Sequence, residues 1–214
     1  MIENLQLYQK IIVGFSKLSQ AMKNKSWERG SQRKISPTQG QILAFLAGRK
    51  KDAITSLSDI VDHLGVTAAT VSDAVRILTE KGLIKKTVGL DDKRLINHTL
   101  TLKGLKLAQE VSEWPDFMNQ ALDVLPADDH ERLFLILIKM IRQLQVRGEI
   151  PVSRMCATCQ YFRLNMYSDN QRPHHCAFVN EPFGNRNLRL DCPDHQEADA
   201  QLLDKNWNEL INKK

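Results

Sequence analysis

All four cysteines of this 214-residue chain lie in one short stretch towards its C-terminus. Their spacing is Cys156-x2-Cys159-x16-Cys176-x15-Cys192, and the 155 residues before them contain no thiol. Two thiols separated by two residues can grip one ion from a single tight turn, the knuckle of many metal sites. Cys176 and Cys192 arrive singly, at the ends of "RPHH" and "RLD". Four thiolates suit tetrahedral zinc, and they equally suit an iron–sulfur cluster. One metal centre per chain is therefore expected. His174, His175 and His195 neighbour the ligands and are able to replace one thiolate.

The two inorganic readings draw on different features. Zinc is favoured because the segment after residue 150 has too little apolar content to fold alone, and a structural ion supplies folding free energy. A cluster is favoured because only one knuckle is present, where four-cysteine zinc sites have two. The gaps also resemble those of high-potential iron–sulfur proteins. Tyr161, Phe162, Phe178 and Phe183 would give a cluster a dry shell, although any small domain uses aromatics as its core. A thioredoxin-like pair at Cys156 and Cys159 lacks the surrounding βαβ pattern, and unligated exposed thiols are a liability. Zinc and iron–sulfur both remain open at this stage.

The gaps "QYFRLNMYSDNQRPHH" and "AFVNEPFGNRNLRLD" contain Asn, Pro and Gly and read as loops pinned by the ion. After them, Leu203, Trp207, Leu210 and Ile211 mark one side of a closing amphipathic helix that packs on its own domain or on a dimer.

The remaining chain reads as mainly α with a small β component. Its formal charge of +5 is concentrated in residues 1–100, which hold 16 Lys and Arg against 9 Asp and Glu. That is where a polyanion would dock. "MIENLQLYQKIIVGF" lacks the basic head and apolar block of an export signal. The run "LFLILIKMI" is far short of the roughly 20 residues that span a bilayer. A cytoplasmic protein with reduced thiols and no membrane segment is the expectation.

Residues 2–23 predict a helix, with Ile2, Leu5, Tyr8, Ile12, Phe15, Leu18 and Met22 on one face, followed by an exposed basic connector over 23–34. Ser36 caps a second helix that has Pro37 in its first turn and Gly48 as its stop. "SLSDIVDHLG" predicts a short helix from Ser56 to Gly65. "VTAATVSDAVRILTEKG" predicts another, capped by Thr67 and closed by Gly82. Two such helices joined around a glycine are a helix-turn-helix signature. "LIKKTV" and "INHTLTL" flank "GLDDKR" as a hairpin, so the element is winged. A long helix then breaks at Pro115. The helix after Pro126 is so apolar that neighbours or a second subunit must cover it. Two domains follow, 1–150 and 151–214.

The stretches "SPTQGQILAFLA", "SLSDIVDHLGVTAATVSDAVRILTEKGLIKK", the wing's Asp92 and Arg94, and "LTLKG" together resemble the MarR family of bacterial winged-helix transcription regulators. The resemblance covers residues 1–147. It implies no catalytic residues and a homodimer interlocked through residues 2–23, 104–123 and 126–147. It also implies binding to double-stranded DNA at a pseudo-palindromic operator. Thr67, Ala68, Thr70, Ser72 and Arg76 are the candidates for the major groove, and Lys93 and Arg94 for the minor groove. Asp73 departs from the family pattern, since a carboxylate on that face repels phosphate. His63, His98 and His130 read as surface or locally satisfied residues.

The function expected is a DNA-binding transcription regulator whose affinity is tuned by a four-cysteine metal centre that senses redox state or metal. Two alternatives stand beside it. One is a MarR-type repressor answering to a small-molecule effector, with a structural or protein-docking zinc module. The other is an iron–sulfur redox protein.

Overall fold

Helices of the N-terminal half begin where a short polar side chain can satisfy free backbone N–H groups. In the computed structural model, which describes residues 2–50, 53–88, 96–151 and 153–212, four of them are capped in this way, the last by Thr101 through the Gly104 N–H. Ser36 caps α2 (Pro37–Ala47) in a reciprocal box with Gln39, and Ser56 caps α3 (Leu57–Leu64) with Asp59. Thr67 caps α4 (Ala68–Glu80) through the Thr70 N–H. Gly65, in the left-handed conformation (φ 64°), ends α3 and allows α4 to start two residues later.

An antiparallel hairpin follows, β1 (Ile84–Val88) paired with β2 (Ile96–Leu100). Next come α5 (Leu102–Ser112), a 3-10 turn over Trp114–Asp116, and α6 (Phe117–Leu122). Pro115 lies inside the turn that interrupts these two helices, as its missing N–H and fixed φ require.

The first helix, α1 (Ile2–Arg33), corrects the sequence reading, which ended it near residue 23 and made 23–34 a connector. The polar stretch stays helical because local partners hold it. Ser26 Oγ donates to the Met22 carbonyl at 2.8 Å, Lys25 pairs with Glu28 at 2.7 Å, and Arg33 reaches Glu110 at 2.6 Å. Gly30, within the stretch read as a connector, is there for proximity. A Cβ at this position would lie 2.6 Å from the Ile35 carbonyl oxygen, where the chain folds back on the helix.

The chain divides into two compact units, Met1–Ala121 and Leu122–Lys214. The first is built on a dry core in which Ile42, Leu43, Ile60, Val71, Val75 and Leu78 have no accessible surface. Each such side chain contributes about 1.5–3 kcal/mol relative to exposure.

Where the sequence reading divides the chain after residue 150, packing divides it after Ala121. The second unit opens with α7 (Ala127–Val146), whose Phe134, Leu135, Ile138 and Ile141 share a core with Met155, Phe162, Leu188 and Leu210. The gaps between the cysteines, expected as loops, contain a small antiparallel sheet. Its order is β3 (Phe162–Arg163), β4 (His174–Cys176), β5 (Glu181–Phe183). The closing helix α8 (Ala200–Asn212) packs on its own unit, with Leu210 buried and Trp207 half-buried. No helix among the described residues is long and apolar enough to cross a membrane.

Candidate metal centre and nucleic-acid interface

The four cysteines come from different local structures and line one cavity of about 210 Å³. Cys156 and Cys159 sit at the two ends of a 3-10 turn, closed by the Cys159 N–H donating to the Cys156 carbonyl at 3.0 Å. Cys176 is the last residue of β4, paired across to Phe162 on one side and Glu181 on the other. Cys192 lies on an irregular segment tied back to the knuckle. Its N–H donates to the Arg154 carbonyl at 2.8 Å, and the Cys156 N–H donates to the Arg189 carbonyl at 2.9 Å. None of the four forms a disulfide.

Arg189 is a site residue that the sequence reading did not single out. Its backbone N–H points at the Cys156 sulfur (3.2 Å), and its Nη1 lies 3.8 Å from the Cys192 sulfur. Burial pushes the Cys156 thiol up to about 11, helped by the neighbouring sulfurs and opposed by the Arg189 N–H. The nearest sequence signal was a basic residue three places before Cys192, which by itself is common. Arg154 braces the same segment, with Nη2 2.7 Å from Asp191.

The three histidines adjacent to the cysteines do not line the cavity. His174, 1% exposed, is held between the Asn165 N–H (3.2 Å, to Nδ1) and the Asn185 Oδ1 (2.8 Å, from Nε2). His175 Nδ1 meets the Tyr167 hydroxyl at 3.0 Å, and His195 Nε2 meets the Thr158 hydroxyl at 2.9 Å. The polar chain from His174 continues outward. Asn185 donates to Glu131 of α7 at 2.8 Å, and Arg186 pairs with the same carboxylate at 3.0 Å. Among the described residues, no three His, Cys, Asp or Glu side chains converge closely enough to hold a single metal ion.

In the N-terminal unit, α4 buries Val71, Ala74, Val75 and Leu78 and leaves Thr67, Ala68, Thr70, Ser72, Asp73 and Arg76 exposed. The Thr67 hydroxyl is engaged in capping, with its oxygen 2.8 Å from the Thr70 hydroxyl. The Arg76 guanidinium is gripped by Asp73 (2.6 Å) and Glu80 (2.7 Å), which hold its pKa above the ordinary value. Asp73 is thus a local partner of Arg76 as well as a bare negative charge. Lys85 and Lys86 stand exposed on β1. The wing-tip candidates Lys93 and Arg94 lie outside the described residues.

The lone histidines are satisfied locally. His98, 4% exposed, has Nδ1 3.1 Å from the Thr55 carbonyl, His63 stacks on Phe45, and His130 Nε2 meets the Leu122 carbonyl at 2.7 Å.

A capped helix pair followed by a hairpin is the architecture that comparison with known proteins also returns. Residues 34–95 match the MarR family. The S. aureus MepR–DNA complex is 33% identical, with a TM-score of 0.55 over 61% of this chain and 95% of that one. S. aureus MepR in its DNA-binding conformation is 32% identical, with a TM-score of 0.56 over 63% and 98%. A MarR/EmrR family transcriptional regulator from Acinetobacter sp. ADP1 is 25% identical, with a TM-score of 0.55 over 65% and 97%. No curated protein matches the chain. This chain belongs to the MarR family, and is a transcription regulator rather than an enzyme.

Proposed function

We propose that the protein is a homodimeric DNA-binding regulator whose grip on its operator depends on a metal centre held by Cys156, Cys159, Cys176 and Cys192. The observation that carries the reading is that all four cysteines, drawn from one tight turn and two separate segments of the chain, line a single cavity. Free thiols have no physical reason to be gathered in this way, whereas ligands do.

On DNA, the exposed N-terminal residues of α4 would enter the major groove. Thr70 and Ser72 offer hydroxyls to base edges or phosphates, and Ala68 offers a methyl to thymine. Lys85, Lys86, Lys93 and Arg94 would supply charge towards the backbone and the minor groove. Similarity to MepR, solved both on DNA and in a DNA-binding conformation, supports this use of the helix.

A second copy of the chain would cover the apolar side chains that α1 leaves in water, among them Leu5, Tyr8 and Ile12 at 58–62% exposure. α7 would contribute through Ile136, Met140 and Leu144, which are also exposed. Because α7 shares its core with the cysteine-bearing segment, loss of the centre would reshape a helix that the dimer uses. A change in subunit spacing would then alter how two α4 helices meet half-sites one turn apart.

The test uses the full-length chain and a duplex selected by the metal-loaded protein from a random pool. Affinity should fall steeply with salt, and the Cys176→Ser variant should lose metal and change affinity on the order of 10-fold. Unchanged DNA binding by metal-free Cys176→Ser protein, under oxidising and reducing conditions alike, would remove the sensory role.

A further inference from the structure

The arrangement of the sulfurs separates the two inorganic candidates. Around one tetrahedral zinc ion with Zn–S bonds of about 2.3 Å, four thiolates lie roughly 3.8 Å apart and enclose only the ion. Here the four thiols instead line a cavity of about 210 Å³ that they share with aromatic and polar side chains, and no three potential ligands among the described residues converge on one point. Nor does a histidine stand ready to complete a smaller site, because none lines the cavity. Such a hollow fits a polynuclear group, in which the cysteines are shared among several irons and the sulfurs are held apart by the inorganic core.

The remaining wall agrees. Tyr161, Phe162, Phe178, Val179, Pro182 and Phe183 contribute aromatic and aliphatic surface to the cavity, a lining that limits water around a cluster. Glu181, Asn187, Arg189 and Asp194 complete the wall, and of these Arg189 meets the thiols, with its backbone N–H on the Cys156 sulfur and its guanidinium beside the Cys192 sulfur. Donors and a positive charge at thiolates favour the more negative, reduced state of a cluster. At a zinc site the same groups would only offset thiolate charge, because zinc has no redox couple for them to tune.

We infer that the cavity holds an iron–sulfur cluster ligated by Cys156, Cys159, Cys176 and Cys192, and that Arg189 raises its reduction potential. The inference rests on the metal-centre reading above and specifies what that centre is. Reduction adds one electron, from dithionite in the experiment below, to the irons and sulfides of the cluster. No bond to a cysteine is made or broken.

The full-length chain is purified without oxygen, and its iron, acid-labile sulfide and zinc are counted per chain. The expected result is iron and sulfide in equal amounts, more than one iron per chain, and broad visible absorption that is lost in Cys176→Ser. Arg189→Gln should retain the iron and shift the midpoint of a dithionite titration to more negative potential, and Arg189→Lys should shift it less. Colourless protein with one zinc and no sulfide would overturn the cluster while leaving a metal centre in place. Protein with neither iron nor zinc, before and after incubation with ferrous iron and sulfide, would overturn the cluster and the metal-centre reading together. An unchanged midpoint in both Arg189 variants, with iron retained, would overturn the role of Arg189 alone.

Discussion

The two units solve the same problem, ordering a chain in water, by opposite means. Residues 1–121 are closed around aliphatic side chains with no accessible surface, joined by capped helices of 8–32 residues. The cysteine-bearing part of the second unit has strands of only two or three residues and gathers four thiols around a hollow. The first unit gains its order from burial, whereas this segment adds four thiols gathered at one cavity to a small core that includes Met155 and Phe162. Stability in one unit should therefore be a matter of packing, and in the other a matter of inorganic chemistry.

Stripping the proposed metal centre gives the sharpest contrast. Removing metal by chelation or by Cys159→Ser should destabilise the segment from Arg154 to Cys192 by several kcal/mol, the scale on which metal binding is folding free energy. Hydrogen exchange should show this segment opening while amides of α2 and α4 keep their protection. Equal loss of protection in both units would erase the distinction.

A packing substitution should act in the reverse sense. Leu43→Ala removes a side chain with no accessible surface and should cost about 2–5 kcal/mol, read as a lower melting temperature for the first unit. Its metal content should equal that of the parent protein.

The smallest expected effect is a dependence on pH, to which His98 contributes in the first unit and His195, also held low mainly by burial, in the second. Burial holds the His98 imidazole below its ordinary pKa, and Lys86 across the hairpin pushes the same way, against the hydrogen bond to the Thr55 carbonyl. The unfolded chain therefore takes up this proton at a higher pH than the folded one. Stability is complete above about pH 6.5 and declines as pH falls through and below that value. Thermal melts between pH 7.5 and 5 should show the decline, and His98→Gln should make it shallower.

How far sequence could be read tracks the same divide. The capping serines, the Gly65 turn and the β-branched hairpin are local signals, and each fell where local chemistry put it. The end of α1 was missed because its apolar periodicity stops near Met22, while the partners that keep 23–33 helical, such as Glu28 for Lys25 and Glu110 for Arg33, leave no periodic signal. The strands β3 to β5 escaped because two or three residues have no periodicity to detect. The cysteines were visible as a set, but their separation around a cavity was not. Arg189 was not visible either, since its role exists only once two distant segments pair.

α7 has an inner flank carrying Ile138 and an outer flank carrying Ile136 and Met140. Each residue turns an α-helix by about 100°, so one inserted or deleted residue would rotate the two flanks by more than a quarter turn, and two would nearly exchange them. Substitution can tune either side separately, but length cannot drift by a residue or two without turning the greasy interior and the outward stripe away from what they pack against. The helix is thereby phase-locked, and the register of the cysteine cage and that of the outer stripe are inherited as one.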